Sequence, residues 1–278
     1  MTEEAPEPEV ELNLLGSLAV VLVVGVGLVF AARAGALALL IAVAVVQALL
    51  AVAWIFATSM PGRIGGLFVA AGAAAGSDLA VSIWPHSRLE TLLAVFALAI
   101  PLMFVHQLSR GAARVRIVES LSGVAMLVAA VTAVPALLQL RHEFAPSSAG
   151  AHVVAGVTEA AAGALIVGYL VDMIMPAPRF DAAIGRGLLA VVAAAGLGGS
   201  VGHLAITGGA QFHGARGAFI GAALGALVGL LAVAVAFVEF ASPPAGGLAL
   251  RARPVLSALL PLSLIAPIAF LLCLAIRS

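Results

Sequence analysis

Lysine is missing from the chain: all thirteen basic residues are arginine. Without it there is no Schiff-base amine, no P-loop and no lysine general base. Cysteine occurs once, as Cys273 in an apolar run. That excludes disulfides within the chain and cysteine metal cages, and leaves a small packing residue. Charge is scarce as well, at 9% of 278 residues. A water-soluble domain of this length would expose more surface than so few charges can cover. The net charge is zero, so the basic footprint of a nucleic-acid binder is absent. The HExxH and paired-aspartate patterns do not occur, and His142 and His152, ten apart, lack a metal spacing. No metal is expected from this sequence, and any cofactor stays open.

What the chain has instead is apolar length. It is 63% hydrophobic, with a mean hydropathy of +1.21. Residues 1–11 hold five glutamates and two prolines and read as a disordered acidic tail; residues 12–278 read as one transmembrane domain. Nine runs reach a bilayer's thickness as helices: 12–32, 36–57, 64–83, 89–108, 117–140, 153–175, 188–207, a glycine-bearing run reaching Phe240, and 255–276. The first has an acidic rather than a basic flank, so it is expected to be retained rather than cleaved as a signal peptide. Residues 141–152 read as the longest polar loop. No internal repeat is visible. The expected fold is an all-α polytopic bundle in the cell membrane, in contact with the lipid bilayer.

Nine crossings place the termini on opposite sides. On the side holding the N-terminus, here side A, the loops hold Arg63, Arg110, Arg114, Arg116, Arg179, Arg186, Arg251 and Arg253. Side B holds Arg33, Arg88, Arg141, Arg216 and Arg277. The excess of arginine favours side A, and so the N-terminus, as cytoplasmic.

The eighth run places Gly217, Gly221, Gly225 and Gly229 four apart, on one helical face. Water cannot drive helices together in lipid, so a side-chain-free face reads as a place for close helix contact. The eighth helix is therefore expected to be buried and central. The run GLGGSVGH at 196–203 has Val201 where a dinucleotide fingerprint needs its third glycine, and it follows no strand. Packing against the eighth helix is its expected use.

Charges inside spans cost about 2.5–3.5 kcal/mol each at a helix centre, so each needs a reason. Asp78, Glu159 and His203 lie toward side B and read as proton or ion coupling groups, or as hydrogen-bonded fasteners between helices. Toward side A, Arg110, Arg114, Arg116, Glu119, Tyr169 and Asp172 read as an anion or headgroup site. Arg116 and Glu119 are three apart, as are Tyr169 and Asp172, so each pair shares a helical face. The plainer alternatives are a local ion pair and an interfacial tyrosine beside a snorkelling aspartate. Pro261 and Pro267 leave the carbonyls of Ser257 and Ser263 without their helical donors. These are expected to be kinks satisfied by neighbouring hydroxyls rather than ion ligands.

Two stretches, PLMFVHQLSRGAARVRIVESLSG at 101–123 and YLVDMIMPAPRFDAAIGRGLLAVV at 169–192, resemble alanine-rich polytopic membrane proteins of high-GC Gram-positive bacteria. That resemblance implies no activity. The many-span layout and the arginine-to-ESL junction also faintly resemble phosphatidate cytidylyltransferases. That family's signature needs lysines and a C-terminal aspartate motif, and this chain has neither, so no residue role is carried over.

Three functional readings follow. The favoured one is a carrier-like protein for a small solute or lipid, coupled through Asp78, Glu159 and His203. The second is an enzyme acting on a lipid headgroup at the cytoplasmic edge. The third is an assembly partner whose Gly217–Gly229 face receives another membrane protein or a second copy.

Overall fold

The computed structural model describes residues 8–58, 61–87, 89–111, 116–144, 147–181, 184–206, 212, 214–241 and 246–277, with side chains from Asn13 on, Ser147 excepted. Ten helices follow one another: α1 (Pro8–Ala34), α2 (Ala36–Ala57), α3 (Arg63–Ile83), α4 (Glu90–Ser109), α5 (Ile117–Ala133), α6 (Ala136–Glu143), α7 (Ser147–Ile174), α8 (Leu188–Ala205), α9 (Gly214–Ala241) and α10 (Gly247–Ile276). Nine segments among the described residues are long and apolar enough to cross a bilayer, with α5 and α6 together forming one, Ile117–Glu143. The cause is lipid itself. Where no water can meet a backbone N–H, a spanning segment must close its own hydrogen bonds as helix.

Three boundaries differ from the sequence expectation. The acidic tail falls outside the described residues over 1–7, and α1 already begins at Pro8, where a missing N–H costs a first helical turn nothing. The expected loop at 141–152 is mostly helix, since α6 runs to Glu143 and α7 starts at Ser147. Buried Phe144 anchors the short turn by packing its ring 5.6 Å from that of Phe212. Helix α10 begins at Gly247, eight residues before the expected start, so Arg251 and Arg253 stand on its first turns rather than in a loop. Pro254, eight residues into α10, has no N–H for the carbonyl of Leu250 four residues back.

Between α1 and α2 only Gly35 is non-helical. Its φ of 143° lies where a Cβ is strongly disfavoured, which lets the chain reverse within one residue.

Helices α7 and α10 form the centre. α7 touches α1, α6, α8, α9 and α10, while α10 touches α1, α2, α5, α6, α7 and α9. Helices α3 and α4 pack on each other and on α5 at one flank, with Phe68, Leu79, Leu93 and Leu98 turned outward. Helix α9 is less central than expected. Its glycine face is buried, but Phe219, Leu230, Phe237 and Phe240 on other faces are exposed.

The buried face of α9 meets α8 backbone to backbone. A Cβ on Gly221 would overlap the carbonyl of Gly198, and one on Gly198 would overlap the carbonyl of Gly221. Gly202 and Gly217 are related in the same reciprocal way, and Gly225 faces the carbonyl of Ala194. The chain's own α8 therefore fills this face.

Pro135 divides α5 from α6. It has no N–H for the carbonyl of Val131, four residues back. Gln47 of α2 replaces the missing donor: its Nε2 donates to Val131 O at 3.0 Å and to Asp78 Oδ1 of α3 at 3.2 Å. One buried amide thus satisfies a freed carbonyl and an intramembrane carboxyl, and fastens α2, α3 and α5. A Gln47→Leu protein should lose about 1–3 kcal/mol, because two acceptors are left unmet. Asp78→Asn, which still offers an acceptor, should lose less. Thermal unfolding in detergent compares the two directly.

Candidate functional site

At the side-A end of the bundle, α7 stops at Ile174 and the chain turns at Pro176 and Pro178. It then folds back on itself. Phe180 N donates to Arg186 O at 3.1 Å and Leu188 N to Pro178 O at 2.9 Å. Gly187 lies so close to Pro176 that a Cβ would overlap its carbonyl. This return brings Arg186 over the last turns of α7.

Asp172 receives it. Arg186 Nη1 donates to Asp172 Oδ2 at 3.1 Å, and the main-chain N–H of Gly187 donates to Oδ1 at 2.8 Å. Both side chains are nearly dry, at 8% and 3% exposure. The guanidinium also lies 4.2 Å from the centre of the Tyr169 ring, a cation–π contact strengthened by the lack of water. Arg186 thus joins the two residues that share the α7 face. The Tyr169 hydroxyl does not hold the carboxylate. It donates at 2.7 Å to Ser257 O, the carbonyl that Pro261 deprives of its helical partner.

The bonds continue into α9. Ser257 Oγ donates to Glu239 Oε1 at 2.5 Å. Arg253 Nη2 donates at 3.1 Å to the main-chain carbonyl of Glu239, among the last carbonyls of α9, which lack an N–H from their own helix. α7, the 175–187 return, α9 and α10 are tied into one polar unit.

This unit walls a cavity of about 230 Å³. Arg186, Glu239, Arg253 and Ser257 line it, with Asn13 and Ser17 of α1 opposite and Leu14 and Phe240 among the apolar groups. Two guanidinium groups and one carboxylate facing a cavity suit a small molecule that bears an anionic group together with a hydrogen-bond donor. Drug-sized ligands need roughly 300–1,000 Å³, so the space fits something smaller.

The other residues named from the sequence lie elsewhere. Arg110 Nη1 donates to Gln107 Oε1 at 2.9 Å and to Ser120 Oγ at 3.3 Å, while Ser120 donates to Pro61 O at 2.7 Å, fixing the junction of α3, α4 and α5. Arg116 pairs with Glu119 as an exposed neighbour at the start of α5. Arg114 lies outside the described residues. The side-A set is therefore divided between the α3–α5 junction and the Tyr169–Asp172 unit.

The side-B trio is spread over three helix contacts. Asp78 is held by Gln47, Glu159 pairs with Arg33 of α1 at 2.6 Å, and exposed His203 on α8 sits against Gly214 of α9.

Arg186 and Arg253 were legible as side-A charges, but not as neighbours of each other or of Glu239. The signal that pointed to their meeting place was Pro261, which marked Ser257 O as needing a donor from another helix. Comparison with protein-family models, curated proteins and solved structures finds no match, so the chemistry of this pocket is read from its own residues.

Proposed function

We propose that this integral membrane protein is a carrier-like protein whose solute site is the side-A pocket between α1, α9, α10 and the 184–187 segment. The observation that supports it best is the unbroken run of bonds Asp172–Arg186–Tyr169–Ser257–Glu239. It links a polar pocket to the carbonyl that Pro261 frees within α10. Carbonyls released from their helical donors are a recurrent feature of carrier sites, and one that stays within a continuous helix can be met by a side chain of a neighbouring helix. In this reading the solute's anionic group meets Arg253 and Arg186, and Glu239 takes its donor. Glu239, which lines the pocket, is then a better coupling group than Asp78, Glu159 or His203, each committed to a separate helix contact. The assembly reading loses its main support, since α8 occupies the glycine face of α9.

The test is a panel of small anions, including phosphate, carboxylates and amino acids, screened for thermal protection of the purified protein and then for uptake into proteoliposomes. Glu239→Gln should abolish uptake of any solute that protects the wild type, at an unfolding temperature within a few degrees of it, since glutamine still accepts from Ser257. Unchanged uptake by both Glu239→Gln and Arg253→Gln would end this reading. Protection by phospholipid headgroups alone would move the pocket to the lipid-headgroup reading.

A further inference from the structure

A second cavity lies on the bilayer-facing side of α1, α7 and α8 and has a different character. Its volume is about 420 Å³, and it is lined by Val21, Val26, Phe30, Gly163 and Ile166 among others, with Glu159 its one ionisable group. The groove runs along α1 from Val21 to Phe30, a rise of about 13 Å. That nearly equals one leaflet's share, about 15 Å, of the hydrocarbon thickness. Gly163 contributes no side chain, which deepens the floor.

The polar end is built at one place. α1 and α7 run antiparallel, with Gly25 against Ala162. From that contact Arg33 lies two turns farther toward side B, and Glu159 less than one turn. The Arg33 side chain therefore turns inward to meet Glu159, Nη2 to Oε1 at 2.6 Å. Only one of the five N–H groups of a guanidinium is needed for that bond. Its side chain remains 59% exposed, bonded to Glu159, which lines the groove. Glu159 thus fixes a guanidinium, the side chain best matched to phosphate oxygens, where an apolar slot one leaflet deep begins.

We propose that this groove holds a single glycerophospholipid of the side-B leaflet, with its phosphate on Arg33 and one acyl chain lying along α1 from Phe30 toward Val21. A neutral diacylglycerol would fill the slot but leave the guanidinium with Glu159 as its anion. Free phosphate would meet the guanidinium but leave the slot empty. The site is independent of the side-A pocket.

The experiment is native mass spectrometry of the full chain in mild detergent, offered equal amounts of phosphatidylglycerol and of diacylglycerol with the same chains. The wild type should retain the phospholipid about tenfold over the diacylglycerol. Arg33→Gln should bring the two close to parity, and Arg33→Lys should keep most of the preference. Gly163→Leu should reduce retention of both. Its Cβ meets Leu197 Cδ2 at an ordinary 3.5 Å, and Gly163 lines the groove, so the added atoms should take up room in the slot. Inorganic phosphate in large excess should not displace the lipid. Equal retention of the two lipids by the wild type, an undiminished preference in Arg33→Gln, wild-type retention by Gly163→Leu, or displacement by phosphate would each overturn the proposal. Should Arg33→Gln fail to fold, the Gly163→Leu and phosphate arms decide it.

Discussion

An Arg186→Gln protein should be less stable than the wild type by about 3–5 kcal/mol, because the substitution strands the Asp172 carboxylate in a dry site. The magnitude follows from burial. Both partners are nearly inaccessible, so water cannot replace the lost guanidinium. Asp172→Asn should also be destabilising, since Arg186 would then keep only a neutral acceptor and the face of Tyr169. The double variant Arg186→Gln with Asp172→Asn should recover part of the loss, since no uncompensated charge remains and the Gly187 N–H still finds the amide oxygen. Denaturation in detergent of the two single variants and the double variant forms a cycle, and its coupling should be about 1–3 kcal/mol for groups in direct contact. Additive losses would mean that the two groups act separately and that the side-A unit is not held together by this pair.

Gly221→Val should be damaging as well, at a place away from the side-A pocket. A Cβ there overlaps the carbonyl of Gly198 and also crowds the Cα of Gly202, and neither is a side chain that can swing away. Overpacking a closely fitted site costs about 1–3 kcal/mol, and more when backbone must move. Here α8 and α9 would have to separate along several turns, and with them the dispersion contact that lipid cannot replace. Gly229→Ala is the control. A Cβ at Gly229 comes 3.3 Å from the Cα of Val191, a tight contact that a shift of a few tenths of an ångström relieves, so its cost should be small. Limited proteolysis of the α8–α9 connection and the unfolding midpoint should both change in Gly221→Val and hardly at all in Gly229→Ala.

The spans were legible because lipid imposes a single rule. A run apolar for about 20 residues has to become helix, whatever its local propensities. Polar ends were harder. Arg251 and Arg253 suggested loop, yet a helix end can carry them in the interface, and α10 begins before them. In the candidate site, the spacing of Tyr169 and Asp172 revealed their common face, because that depends only on helical pitch. Their partner Arg186 depends on a backbone return held by Phe180, Leu188 and Gly187, which no periodicity encodes. Asp78, Glu159 and His203 show the same limit. Depth in the membrane follows from counting residues along a span, whereas the direction a side chain faces around the bundle follows from which helices are neighbours. Gln47, Arg33 and Gly214 supplied that second coordinate only once the helices were packed.

The single-residue reversal at Gly35 bears on how the protein is made. With no hydrophilic connector between them, α1 and α2 can enter the membrane together as a paired insert, and from residue 13 to residue 57 Arg33 is the one charged group that must reach the far side. The carboxylate that later neutralises it is 126 positions downstream. During synthesis the first pair of helices therefore carries Arg33 to the membrane edge before its partner within the chain exists, and headgroup phosphates are the anions at hand there until the sixth crossing emerges.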